Sequence, residues 1–91
     1  MKQEAPYFEG RNAQLIYIAK RLSDATEIEA LLTREGVDYG VEADTYTGGL
    51  VFRTERVGAF FYALPEVADT MRALLRANGW KALAGEDSQR V

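Results

Sequence analysis

The apolar residues of this chain follow two rhythms that alternate along it. Residues 14–19, QLIYIA, form a short β-branched apolar run, which predicts a strand buried on both faces. Ile28, Leu31 and Leu32 then recur at i, i+3 and i+4, the apolar stripe of a helix. Ser23 and Asp24 are N-cap residues for it, and Glu27 stands at capping-box spacing from Asp24. Gly36 occupies the place of a left-handed C-cap. From there the period drops to two. Val37, Tyr39, Val41 and Ala43 alternate with Asp38, Gly40, Glu42 and Asp44, predicting a half-exposed strand.

The same order of signals then returns. TYTGG, residues 45–49, is a turn signal, and residues 50–58 fit either a short hairpin around Thr54-Glu55 or a structured loop. AFFYAL, residues 59–64, reads as a second central strand. Pro65 suits a first helical turn, Val67, Met71, Leu74 and Leu75 form the stripe, and Gly79 is again the cap. WKAL, residues 80–83, reads as a final short strand. Shifting residues 15–37 by 43 positions lays them on 58–80, with ALLTREGV over ALLRANGW. The chain therefore reads as β-α-β twice, joined through residues 44–57. The prediction is an α+β, ferredoxin-like βαββαβ domain over residues 13–84. Its antiparallel four-stranded sheet has order 4-1-3-2 and carries two helices on one face. Residues 1–12 are expected to be a flexible arm unless Tyr7 and Phe8 dock, and residues 85–91 a frayed tail.

Strict alternation in the two central strands puts Ile16, Ile18, Ala59, Phe61 and Ala63 under the helices. It leaves Leu15, Tyr17, Phe60 and Tyr62 on the open face, the candidate ligand or partner face, with Asp38, Glu42 and Asp44 along the neighbouring edge.

Composition removes whole classes of chemistry. Among 91 residues there is no Cys and no His, which excludes disulfides, thiolate nucleophiles and thiolate metal sites, and every Ser-His-Asp arrangement. A net charge of −3 makes a poor phosphate binder overall. No apolar run reaches the roughly 18 residues of a membrane span, and MKQEAPYFEGRN lacks the apolar centre of a signal peptide, so a cytoplasmic location is expected.

Three constellations remain. RNA-recognition domains share the expected topology and stack bases on strand aromatics; IYIAKRL, with Tyr17, looks like their first-strand motif, and Phe60 and Tyr62 stand two apart as their third-strand motif requires. Gly58 and Ala59, however, replace the basic residue and the glycine of that motif, and the acidic edge repels phosphates. Asp38, Glu42 and Asp44 spread over roughly 20 Å at about 3.3 Å per residue, so they do not share one metal ion. Thr47, Gly48, Gly49, Arg53 and Arg56 form a possible anion-binding loop, since glycines expose backbone N–H groups and arginine pairs bidentately with phosphate. No helix follows it, and Gly48-Gly49 equally reads as a plain turn. Catalysis would rest on carboxylates, Tyr or Lys alone, and no pair has a spacing that argues for it.

DATEIEALLTREGVDYGVEAD, residues 24–44, and FFYALPEVADTMRALLRANG, residues 60–79, resemble the two halves of the small bacterial signal-transducing proteins, a family akin to the nitrogen-regulatory PII-like proteins. The resemblance covers residues 15–79 and rests on helix stripes, caps and one proline. It implies a ferredoxin-like fold and a regulatory or binding role. In PII-like proteins a long signalling loop joins strands two and three and subunits form trimers; here residues 44–57 are shorter and carry no modification or nucleotide motif. The expectation is a non-enzymatic, oligomeric binding or regulatory module. It has no cofactor, assembles as a dimer or trimer, and takes a protein partner or small ligand rather than nucleic acid or membrane. The alternatives are an RNA-binding platform using the open-face aromatics, and a small-molecule enzyme with its pocket on that face.

Overall fold

A computed structural model of the chain describes residues 1–48 and 54–84. The element order is α1 (Ala5–Phe8), β1 (Gln14–Ala19), α2 (Leu22–Arg34), β2 (Gly40–Gly48), β3 (Thr54–Ala63) and α3 (Pro65–Ala77). Its sheet is three-stranded and antiparallel, in the order β1-β3-β2. The expected ferredoxin-like arrangement of four strands and two helices is therefore corrected to α+β with three strands and three helices among the described residues.

The missing fourth strand has a physical cause. Residues 80–83 run beside β1, and the Leu83 N–H donates to the Ile16 carbonyl at 2.8 Å. Two of their carbonyls go to arginine side chains of α3, and that of Leu83, on the side that faces β1, is thereby taken from a ladder. Arg72 Nε donates to the Leu83 carbonyl at 2.7 Å, and Arg76 to that of Ala82 at 3.2 Å. Arg72 is only 7% exposed and also reaches Gln14 of β1 at 2.7 Å and Asp69 at 3.1 Å. Trp80 is committed as well, its ring meeting Tyr17 edge-on at 5.9 Å.

The 43-residue repeat is present in the helices. Residues 22–34 of α2 shifted by 43 give 65–77, the span of α3. Both helices end in the same Schellman motif. Gly36 (φ 72°) and Gly79 (φ 89°) are left-handed. Val37 N–H bonds the Leu32 carbonyl and Trp80 N–H the Leu75 carbonyl, each at 2.9 Å. α2 begins earlier than its capping residues suggest, at Leu22, and Asp24 pairs with Arg21 at 3.1 Å.

The core lies between the two long helices and one sheet face: Ile28, Leu31 and Leu32 of α2, Ala68, Met71 and Leu75 of α3, and Ile16, Phe61 and Ala63 of the sheet. Residues 45–48 and 54–58, expected to be a turn and a hairpin or loop, are continuations of β2 and β3, paired from Thr45↔Val57 to Gly48↔Thr54. No helix among the described residues is long and apolar enough to cross a membrane.

Candidate functional site

One irregularity decides which side chains reach the open face. Between Leu15 and Tyr17 the β1–β3 register slips: Leu15 faces Tyr62, but Tyr17 faces Phe61. The extra residue of this bulge puts Ile16 and Tyr17 on the same side. Tyr17 therefore packs with the helix-side core, and Ile18, opposite Phe60, takes its place on the other face. Of the four residues expected there, Leu15, Phe60 and Tyr62 are on that face and Tyr17 is not. Nor are they all open: Leu15 is 1% exposed and Phe60 3%.

Residues 1–13 lie against the Tyr39–Gly40 end of that face. Lys2 bridges Tyr39 in parallel, the Gln3 N–H donates to the Tyr39 carbonyl at 2.7 Å, and the Tyr39 N–H to the Met1 carbonyl at 3.1 Å. Helix α1 then lays Phe8 on the backbone of Gly40; a Cβ there would stand 2.5 Å from the ring. A glycine inside an alternating strand marks such a close approach. Arg11 ties the return to β1, stacking on Tyr7 at 4.8 Å and pairing with Glu66 at 3.7 Å.

Between this segment and the sheet lies a cleft of about 510 Å³. Pro6, Phe8 and Glu9 form one wall; Gly40, Glu42 and Tyr62 form the other. Gly40 pairs with Tyr62, and Glu42 with Phe60, so these side chains share one face. The Tyr62 hydroxyl is held above its ordinary pKa, first by burial, then by the charges of Glu42 and Asp44. No basic side chain lines the cleft among the described residues.

The remaining candidates lie away from the cleft, and three of the expected loop residues are brought together. Thr47 and Gly48 lie in β2 and Arg56 in β3, opposite Tyr46, with its side chain against Gly48. Gly49 and Arg53 lie outside the described residues. Asp38 accepts from Gln3 at 3.2 Å, away from Glu42 and Asp44, and no group of three metal-ligating side chains occurs among the described residues. A second hollow of about 240 Å³ sits on the helix side, between Leu22 and Val57. Residues that single-strand patterning misses are Phe8, Glu9 and Gly40. Two adjacent aromatics in an otherwise polar arm, and a glycine in the alternating strand, are the signals that point to them. No family model, curated protein or solved structure matches the chain.

Proposed function

We propose that this chain is a non-enzymatic binding module whose ligand site is the cleft between α1 and the sheet, and that the group bound there is a cation. The observation that carries this reading is the lining itself: the rings of Phe8 and Tyr62 beside the carboxylates of Glu9 and Glu42, with no base among the described lining residues. Aromatic faces and carboxylates attract ammonium and guanidinium groups by the same field that repels anions. The volume falls within the roughly 300–1,000 Å³ of ligand sites. The resemblance to small signal-transducing proteins supports a binding or regulatory role. The acidic wall disfavours the RNA alternative, since phosphates would meet Glu42 and Asp44 beside the aromatics.

The test is titration of isotope-labelled protein with butylamine, agmatine and butyrate, followed by NMR. Both cations should shift the amides of Gly40, Glu42 and Tyr62 saturably, and butyrate should not. Glu42→Gln should weaken the cations about tenfold, the equivalent of about 1.4 kcal/mol. Absence of saturable shifts, or equal response to butyrate, would overturn the assignment.

A further inference from the structure

We infer that the partner of this cleft is an extended basic peptide, which adds as a strand to the outer edge of β2 and carries Lys or Arg at alternate positions. The inference rests on the reading of the cleft as a cation site.

The backbone of β2 supplies the first part. Tyr39 turns both its N–H and its carbonyl away from β3, toward Met1 and Gln3. Strand alternation turns Val41, Ala43, Thr45 and Thr47 the same way. The chain's own residues 1–3 thus already show this edge, just ahead of β2, accepting an extended segment through a single parallel bridge, up to the point where they leave it for α1. Beyond Tyr39, no backbone among the described residues pairs with the outer edge. The Thr45 N–H is taken by its neighbour, Asp44 Oδ1, at 2.8 Å. The uncovered span beside the cleft, before that interruption, is therefore Val41 to Ala43.

The side chains supply the second part. Glu42 and Asp44 are exposed, two residues apart, and on the cleft's face of the sheet. Neither forms an ion pair among the described residues. Their spacing, about 7 Å, is also the spacing of alternate residues in any strand laid beside them. Directly opposite residues on paired strands interact through their side chains, favourably when the charges are opposite. A strand with cations at i and i+2 would set one against Glu42 and Tyr62 in the cleft and the next against Asp44. A second copy of this chain fits poorly, because a two-fold contact here brings the partner's acidic edge against its own kind.

The experiment uses an eight-residue peptide with Lys at every second position, the same composition with the lysines contiguous, and Glu-for-Lys versions of both. Fluorescence anisotropy with the intact protein should show the alternating peptide binding about tenfold tighter than the contiguous one, with the Glu versions silent. Methylating one alternate set of peptide amides should abolish the preference and methylating the other set should not, since a strand uses only one set against a given edge. If butylamine occupies the cleft but the alternating and contiguous peptides bind alike, or both methylated forms bind like the parent, the strand-addition inference fails and the cation site stands. If neither butylamine nor peptide binds, both fail. If the Val41 and Ala43 amides are protected in the free protein and lose protection on dilution, a second copy occupies the edge and the inference is overturned.

Discussion

The two long helices end alike but lead into different segments. After α2, the Schellman turn at Gly36 leads into β2, a nine-residue strand. After α3, the identical turn at Gly79 leads into residues 80–84, which form no strand. Positions 29 and 72 are equivalent under the 43-residue shift, and each holds the segment beyond its helix. Glu29 does so through a side chain, accepting from the Tyr39 hydroxyl at 3.1 Å, and leaves the backbone free to pair. Arg72 does so through the backbone, consuming the Leu83 carbonyl. A carboxylate accepts only, so it cannot take a carbonyl; a guanidinium donates only, so it must find acceptors. One charge reversal at a repeated position thus separates a tethered strand from a tethered coil.

The largest effect should come from breaking the coil tether. Arg72→Leu removes the donor to Leu83 and to Gln14 and leaves both part-buried acceptors without it, at about 1–2 kcal/mol each, the lower part of the range for an unpaired group. A total of about 3 kcal/mol is expected, a fall in Tm on the order of 15 °C for a domain of this size. Glu29→Ala should cost only about 1 kcal/mol, the worth of one hydrogen bond. Thermal unfolding of both variants decides the matter; equal losses would mean that the two positions are not doing different things.

Next in size is Gly40→Ala. The new Cβ would lie 2.5 Å from Phe8 Cε2, so the ring must move. Overpacking of this kind costs about 1–3 kcal/mol. Because Phe8 belongs to the segment whose first residues pair with Tyr39, hydrogen exchange at Gln3 and Tyr39 should accelerate. Unchanged exchange there would show that Phe8 and the bridge are independent.

The cap glycines give a smaller effect that tests the repeat itself. Nothing stands within 4 Å of a Cβ at either Gly36 or Gly79, so alanine meets no clash and its cost is the positive φ alone. Each substitution should destabilise by about 1 kcal/mol. Costs that differ by more than about 1 kcal/mol would mean that the two turns, alike in their hydrogen bonds, differ in strain.

These residues also show what patterning can read. The helices, their left-handed caps and the existence of β1 and β3 come from local signals, because stripe spacing and cap glycines act within a few residues; the central place expected of β1 does not, since with no fourth strand beside it β1 is an edge of the sheet. The fourth strand is misleading because WKAL has strand composition, while the acceptor that would face β1, the Leu83 carbonyl, is diverted by Arg72, a residue that lies on a helix surface in any sequence-based reading. The open face is half legible. Leu15, Phe60 and Tyr62 fall where alternation puts them; Tyr17 does not, because a bulge has no composition of its own. The cleft joins Phe8 and Glu9 to Gly40, Glu42 and Tyr62 across roughly thirty residues of chain or more, a proximity that no local pattern encodes.

The smallest effect distinguishes the cleft's tyrosine from the one that faces Trp80. Burial is the first cause of the raised pKa at both Tyr17 and Tyr62, but the charges that add to it differ: Asp24 for Tyr17, Glu42 and Asp44 for Tyr62. A tyrosine whose folded pKa lies above its unfolded value near 10 favours the neutral form in the fold. Above a pH of about 10 the folded chain then binds more protons than the unfolded one, so stability falls as pH rises through that range, and below it the contribution is fully present. Glu42→Gln removes one of the charges that hold Tyr62 neutral and should bring its titration closer to the ordinary value, while Tyr17 titrates as before. Ultraviolet difference titration with Tyr17→Phe and Tyr62→Phe as assignments reads this directly. An unchanged titration at Tyr62 would remove Glu42 from the environment of its hydroxyl, and a downward shift at both tyrosines would mean that the substitution acts through the fold and not through the local charge.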